Sequence, residues 1–229
     1  MHIVHSALNV TVMERKEKSI TTVLFDYGGV IAEEGFRAGL AVIALRFGLD
    51  PAELLHQATD AIYDSGYVVG RGTEAGFWKL LQARTGIRAE HSALTREIIE
   101  RFVLRTWMIE WVEHLKQQGY RTGLLSDQTD WLERLDHRDH FLNHFDSVFN
   151  SYHLGLGKRS PRLFRMVACR LGERAEHILF IDDAPGNLQR ARSVKMQTLL
   201  FQDRNQFEEE LQRLLNVSAP SGAASAPGC

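Results

Sequence analysis

The sequence predicts an α/β fold: a Rossmann-like parallel sheet with helices on both faces, plus an inserted all-helical cap. Three observations predict it. Short apolar runs end at polar residues, helical patterns alternate with these runs over most of the chain, and residues 33–105 are helical in pattern throughout. Strands that alternate with helices indicate βαβ units, which favour a parallel sheet with both faces covered.

Five segments are predicted as strands. The first is the apolar run 23–25, which stops at Asp26 before a pair of glycines, a pattern typical of a buried strand followed by a turn. Residues 121–126 run into Asp127, and residues 177–181 run into an acidic pair. A weaker strand is predicted at 147–151, and a further strand at 198–201.

Helices are predicted between these strands at 108–118, 161–171, 185–194 and 205–215. Pro161 and Pro185 suit a first helical turn, and Gly119 and Gly172 supply stops. Four further helices, at 37–47, 51–64, 73–85 and 92–103, follow the first strand without an intervening strand. Apolar residues of two of the predicted helices are assigned to the core: Phe77, Trp78, Leu80, Leu81 and Trp111.

The chain is therefore divided into four parts. Residues 1–18 form an N-terminal extension, residues 19–32 and 106–216 form the core, and residues 33–105 form the helical cap. Residues 217–229 read VSAPSGAASAPGC, a small-residue tail that is predicted to be disordered.

Composition excludes several classes of protein. A net charge of −2 over 229 residues favours neither nucleic acid nor a membrane surface as a partner. No segment approaches the roughly 20 apolar residues that a membrane helix needs. Only two cysteines occur, Cys169 and Cys229, which argues against a disulfide framework and fits a cytoplasmic protein. The sequence leaves the oligomeric state open.

Polar residues follow the predicted strands at their carboxyl ends. Asp26, Ser126, Asp182 and Asp183 end three strands, and Lys158 lies in the loop before the helix that begins at Pro161. Ligands of parallel α/β sheets bind at this edge. Carboxylates that lie so close repel one another, and a hard cation such as Mg²⁺, which prefers oxygen ligands, relieves the repulsion.

These residue types suit phosphoryl transfer. Lys158 and Ser126 would hold a phosphate while Asp26 attacks phosphorus in line, and the cation and Lys158 would screen the repulsion between like charges. An aspartyl-phosphate would form and then be hydrolysed by water. The sequence therefore predicts a Mg²⁺-dependent hydrolase that acts on a small phosphomonoester.

Four segments resemble, in order, the four motifs of the haloacid dehalogenase superfamily, over roughly residues 21–200. They read FDYGGV, LLSD, SYHLGLGKRSPRLF and ILFIDDAPGN. The resemblance implies Asp26 as nucleophile and Ser126 and Lys158 as phosphate-binding residues. It also implies a metal site made of Asp26, the Gly28 carbonyl, Asp182 and Asp183, with Asn187 as support.

The helical segment resembles the cap that follows the first motif in the sugar-phosphatase branch of this superfamily. This likeness makes a sugar phosphate one candidate substrate. Asp127 and Arg71 are further candidates for substrate binding. Tyr67 and Arg71 belong to the glycine-flanked turn YVVGRG, from which both side chains are candidates to reach the cleft.

The sequence departs from the family pattern at Gly28. Most phosphatases of the superfamily carry a second Asp there, two residues after the nucleophile, as general acid and base. Such a group contributes roughly 10²- to 10⁴-fold in rate. Asp127, Glu33 and Glu34 are the candidates to replace it. The third motif also differs, because it reads KRSP, and Arg159 adds a charge that reaches either substrate or solvent.

Two other functions stay open. A metal-free 2-haloacid dehalogenase would use Asp26 to attack carbon, although the pair Asp182 and Asp183 argues against it. A non-catalytic phosphate-binding relative would have lost turnover with the change to Gly28.

The histidines His137, His140 and His144 stand at helical spacing and invite a metal-site interpretation. No cysteine accompanies them, so we favour a polar helix and loop.

Overall fold

The computed structural model describes residues 19–220 and shows a five-stranded, fully parallel sheet in the order β3-β2-β1-β4-β5. The strands are β1 Thr22–Phe25, β2 Arg121–Ser126, β3 Ser147–Asn150, β4 Ile178–Asp182 and β5 Gln197–Leu200. All five predicted strands are confirmed. Every residue of β1 and β4 is buried, as expected of strands that are covered on both faces.

Four helices follow β1 before the chain returns to the sheet. They are α1 Gly35–Arg46, α2 Pro51–Asp64, α3 Glu74–Thr85 and α4 His91–Ile99. The side chains of Asp50 and Thr73 cap α2 and α3, which accounts for where these two helices begin. The predicted extension of α4 to residue 103 is wrong, because the chain turns there and Glu33 N donates to Val103 O over 2.9 Å.

Six helices belong to the remainder of the chain. They are α5 Thr106–Gln117, α6 Trp131–Asp139, α7 Ser151–Leu154, α8 Pro161–Leu171, α9 Pro185–Ser193 and α10 Arg204–Leu215. The helix α7, a single turn that follows β3 directly, was not predicted from the sequence; the Asn150 side chain caps it by accepting from Tyr152 N. None of the described helices is long and apolar enough to cross a membrane.

Side chains alternate across the sheet and build a core on each face. Val23 and Phe25 of β1 point to the larger core, which α5, α10 and the four inserted helices share. Leu24 points to the second core, against α8 and α9. The residues assigned to the core from sequence pack in the larger one, with Leu80 partly buried. Helices on both faces are thus confirmed.

The two connections between the inserted helices and the sheet run side by side. Ala32 and Leu104 form an antiparallel bridge, and Arg105 N donates to Ile31 O over 2.9 Å. The predicted cap, residues 33–105, begins and ends at this pair of connections. Residues 1–18 and 221–229, which include the predicted extension and most of the predicted tail, lie outside the described residues.

Candidate active site

Asp26 is the first residue after the central strand, between the carboxyl ends of β2 and β4. Its residue is 8% exposed, and Asp26 Oδ1 accepts from Tyr27 N at 2.6 Å and from Ser126 Oγ at 3.0 Å. Lys158 Nζ lies 2.7 Å from the same oxygen. Within residues 19–220 these contacts all fall on Oδ1, so Oδ2 has no hydrogen-bond donor and is available to a ligand.

Lys158 is buried beneath the pocket, with 1% of its surface exposed. Its ammonium bridges two carboxylates, at 2.7 Å from Asp26 Oδ1 and 2.7 Å from Asp182 Oδ2. The backbone of Lys158 is held on both sides. Its N–H donates to the two carboxylate oxygens of Asp127, at 2.8 and 2.9 Å, and its carbonyl accepts from Arg190 Nε at 2.6 Å. These contacts hold the Lys158 ammonium next to the Asp26 carboxylate.

The carboxylate of Asp182 is fully buried, and both of its oxygens accept hydrogen bonds. It accepts from Lys158 Nζ and Ala184 N at 2.7 Å each, and from Asn187 Nδ2 at 3.1 and 3.0 Å. These bonds fill the positions that a carboxylate offers to donors. Asp182 thus holds Lys158 and Asn187 in place, whereas its neighbour Asp183 lines the pocket.

Three carboxylates gather at this edge of the sheet. Asp26, Asp182 and Asp183 each offer an oxygen within 4.8 Å of the others. Asp183 comes this close to the loop after β1 because Gly29 has no side chain. Gly29 has φ +83°, and a Cβ there would overlap Asp183 Oδ2. A set of carboxylate oxygens beside a backbone turn fits a hard divalent cation.

Electrostatics supports this assignment. Burial raises the pKa of Asp26, and the Asp182 carboxylate adds to the rise, although Lys158 opposes it. Burial also raises the pKa values of Asp127 and Asp183. For Lys158, burial lowers the pKa, but the surrounding carboxylates outweigh it, so the pKa is raised and the amine stays charged. One ammonium faces several carboxylates, and a divalent cation would relieve the remaining repulsion.

A cavity of about 330 Å³ lies over these residues, a size suited to a small metabolite. Asp26, Gly28, Ser126, Asp127 and Lys158 form part of its floor. Residues of the inserted segment form its roof: Glu34, Phe36, Arg37, Thr59, Ile62, Tyr63 and Val68.

Tyr63 and Arg159 join the roof to the floor. The Tyr63 hydroxyl donates to Asp127 Oδ2, and the Arg159 guanidinium stacks 3.9 Å from the centre of the Tyr63 ring. Arg159 also donates to Thr59 O and Asp60 Oδ1, at 3.1 Å each. Arg159, whose role the sequence left open, therefore lies in the pocket wall against α2.

Two predicted cleft residues lie elsewhere. The Tyr67 hydroxyl donates to Asp130, and its ring packs inside the protein against Trp131. Arg71 is exposed and donates to Gly155 O over 3.0 Å. Neither residue lines the pocket, because the turn that carries them packs on α7, where Ser151 Oγ donates to Val68 O over 2.7 Å.

The histidine-rich stretch does not form a metal site within the described part of the chain, where Asp26, Asp182 and Asp183 are the one group with metal-binding geometry. His137 and His140 are exposed, and His144 Nδ1 lies 2.8 Å from Glu113 Oε1. These residues form the end of α6 and the loop after it.

Two arginines that support the site were missed in the sequence. Arg105 Nη1 donates to Gly29 O at 2.5 Å and Val30 O at 2.9 Å, which fixes the loop after the nucleophile. Arg190 Nη2 donates to Asn187 Oδ1 at 2.7 Å. Arg190 follows Asn187 by three residues in a predicted helix, a spacing that marks neighbours. No comparable signal marks Arg105.

An α/β sheet with an aspartate–lysine cluster at its carboxyl edge matches a known class of hydrolases. Residues 20–194 match the haloacid dehalogenase-like hydrolase family, and the chain belongs to this family. The resemblance inferred from the four motifs is thereby confirmed, as is the prediction that the protein is a hydrolase.

Individual relatives are more distant. The bifunctional epoxide hydrolase 2 of Rattus norvegicus is 27% identical over 127 residues, which is 52% of this chain and 23% of that protein. The chain thus spans less than a quarter of the length of this relative. A HAD family enzyme of Bacteroides thetaiotaomicron, crystallised with magnesium and inorganic phosphate, has a TM-score of 0.63 at 20% identity, over 80% of this chain and 94% of that one. A dehalogenase has a TM-score of 0.60 at 18% identity, over 80% and 84% of the two chains.

Proposed function

We propose that this protein is a Mg²⁺-dependent phosphatase that hydrolyses a small phosphomonoester through an aspartyl-phosphate on Asp26. The observation that carries the proposal is the pairing of Asp26 with Lys158 beside Asp183. One oxygen of the nucleophile is held by donors, the other is open to the pocket, and an acidic metal site adjoins both. The magnesium and phosphate bound by the Bacteroides thetaiotaomicron enzyme support the same assignment.

The metal ligands are assigned to Asp26, Asp183 and the Gly28 carbonyl, with Asp182 and Asn187 behind them. When bound there, Mg²⁺ supplies positive charge that neutralises phosphoryl oxygens and orients the phosphate. Asp182 differs from the expectation drawn from sequence, because its four hydrogen bonds suit a positioning role better than direct ligation.

The chemical steps belong to the protein's own residues. Asp26 Oδ2 attacks phosphorus while the third N–H of Lys158, which already holds Oδ1 and Asp182, donates to a phosphoryl oxygen. The single O–H of Ser126 turns from Oδ1 to a phosphoryl oxygen when the phosphate binds. Water then cleaves the acyl-phosphate bond and restores the Asp26 carboxylate. Asp127 is assigned a supporting part, since its oxygens already accept from Lys158 N and the Tyr63 hydroxyl.

The inserted helices, residues 33–105, are proposed to act as the cap that encloses the substrate over a core of residues 19–32 and 106–216. The cavity of about 330 Å³ and its mixed polar and apolar roof suit a small metabolite such as a sugar phosphate. A cytoplasmic location is supported by the near absence of cysteine.

Phosphate release from a panel of sugar phosphates, nucleotides and acyl phosphates tests the proposal. We expect turnover that needs Mg²⁺ and is lost in EDTA. Chloride release from 2-chloropropionate in EDTA, without phosphate release from any member of the panel, would instead establish the dehalogenase alternative. Mg²⁺-dependent phosphate binding without turnover would establish the non-catalytic one.

A further inference from the structure

The residue that transfers a proton to the leaving group is absent from its usual place at Gly28, and the structure separates the three candidates to replace it. Glu33 is excluded by its position. Its side chain is 57% exposed, pairs with Arg105 at 2.9 Å, and does not line the pocket. Asp127 lines the pocket, but its oxygens are occupied by the Lys158 N–H and the Tyr63 hydroxyl.

Glu34 lies beside the space that a side chain at position 28 would enter. A Cβ placed on Gly28 would lie 3.4 Å from Glu34 Oε1 and 3.2 Å from Phe102 Cε1. Gly28 does not have a positive φ, so its backbone does not demand glycine. A Cβ at position 28 would be tight against the Phe102 ring and in ordinary contact with Glu34 Oε1, so the Glu34 carboxylate lies next to the place of the missing side chain.

The local fold holds Glu34 in this orientation. Glu34 is the N-cap of α1, and its Oε2 accepts from Arg37 N over 2.6 Å, which leaves Oε1 as the oxygen nearest Gly28. The side chain is 30% exposed and lines the pocket. Burial raises the pKa of Glu34, and the Asp183 carboxylate adds to the rise, whereas the capping bond and the Arg37 guanidinium oppose it.

We propose that Glu34 is the general acid and base of this enzyme, in place of a side chain at position 28. This inference rests on the proposed phosphatase function. In the first step the bond between Asp26 Oδ2 and phosphorus forms and the bond from phosphorus to the ester oxygen breaks. The protonated Glu34 carboxyl gives its proton to that oxygen, which leaves as an alcohol.

The second step reverses the proton transfer. The Glu34 carboxylate takes a proton from water as the water oxygen attacks phosphorus and the bond to Asp26 breaks. Inorganic phosphate leaves, and both Asp26 as carboxylate and Glu34 as acid are restored. Neither step consumes a further reactant.

The test compares Glu34→Gln with wild type on an alkyl phosphate and an aryl phosphate in Mg²⁺. Gln keeps an oxygen for the Arg37 N–H but carries no proton to transfer. We expect kcat/KM for the alkyl phosphate to fall about 10²- to 10⁴-fold, and that for the aryl phosphate, whose leaving group needs no proton, to fall much less. With the aryl phosphate, phosphoenzyme trapped at steady state should increase, because its formation is little changed while its hydrolysis by water is slowed.

Two further variants separate catalysis from capping. Asp50→Asn makes the same carboxylate-to-amide change at the N-cap of α2, where Asp50 Oδ1 accepts from Glu53 N over 2.8 Å. This variant should leave kcat/KM for both substrates unchanged. Gly28→Asp combined with Glu34→Ser vacates the space, retains a capping hydroxyl and restores a carboxyl near the usual place. This double variant should recover alkyl-phosphate turnover relative to Glu34→Gln.

An equal loss on both substrates, or no loss on either, would overturn the role of Glu34. The proposed function would still hold in that case if the wild type hydrolyses the aryl phosphate with Mg²⁺ and Asp26→Asn does not. If the wild type releases no phosphate at all, the proposed function fails, and this inference fails with it.

Discussion

The floor and the roof of the pocket are built differently. On the floor, Asp26, Lys158 and Asp182 end buried strands or their loops and are fixed by several short contacts each. On the roof, Arg37 is 69% exposed at its side chain, and Glu34 30%. In the proposed mechanism the fixed floor holds the nucleophile and the metal ligands, whereas the more exposed roof supplies Glu34 and surrounds the substrate.

Floor and roof meet through polar contacts over a shared apolar core. Trp131 Nε1 donates to Glu74 Oε2 over 2.7 Å, and Arg134 pairs with the same carboxylate at 2.9 Å. Tyr63 and Arg159 add the contacts beside the pocket. Substitutions on the floor should therefore abolish function, and those on the roof, apart from Glu34, should change it less.

The largest effect is expected from Asp26→Asn. The amide keeps the shape of the side chain but cannot attack phosphorus, so phosphate release should fall at least about a thousandfold, as for other removed nucleophiles. The melting temperature should stay near that of wild type or rise, because a carboxylate that burial disfavours has been neutralised. Activity above a few per cent of wild type would rule out the covalent mechanism.

The second largest effect is expected from Lys158→Met, which leaves Asp26 and Asp182 buried without their shared cation. Loss of one partner from a buried ion pair costs about 3–5 kcal/mol. The variant should be inactive and should unfold at lower denaturant concentration than wild type. Lys158→Met combined with Asp182→Asn should regain part of the stability, and the absence of any recovery would contradict the assigned pairing.

The floor was accessible to sequence analysis and the roof was not. A short apolar run that ends at Asp26 gives both the strand and the position of the carboxylate, because parallel strands share one carboxyl edge. The surroundings of Glu34 depend on how the loop after β1 turns and on Phe102, which lies far along the chain. Tyr67 remained only a candidate for the cleft for a related reason, since a glycine-flanked turn gives the location of a residue but not the direction in which its side chain packs.

A smaller effect is expected from Asp183→Ala, which tests the metal site. Burial and Asp182 raise the pKa of Asp183, so its contribution to folding is present at low pH and lost as pH rises through the raised pKa. In EDTA the wild-type melting temperature should therefore decline from acid to neutral pH, and the variant should decline less. Mg²⁺ should raise the melting temperature of wild type more than that of the variant.

Calorimetric Mg²⁺ titration completes this test. The affinity for Mg²⁺ should fall at least about 10- to 100-fold in Asp183→Ala. Losses of this size are typical when a residue that only supports a metal ligand is removed, and removal of a ligand itself should cost at least as much. An apo variant less stable than wild type, with unchanged Mg²⁺ affinity, would assign Asp183 to the cap of α9 instead.

The smallest effect is expected on the roof, from Tyr63→Phe. The ring remains for Arg159 to stack on, and only the hydroxyl that donates to Asp127 is lost. Asp127 keeps both contacts to Lys158 N, so the floor should hold its geometry. We expect the free energy of unfolding to fall by about 1–2 kcal/mol and kcat/KM to change by less than about tenfold.

Urea unfolding and steady-state kinetics measure the two quantities, with Tyr152→Phe as the matched tyrosine variant outside the pocket. A loss as large as that of Lys158→Met would show that Asp127 cannot hold the lysine loop without the roof, and the division between floor and roof would then be wrong.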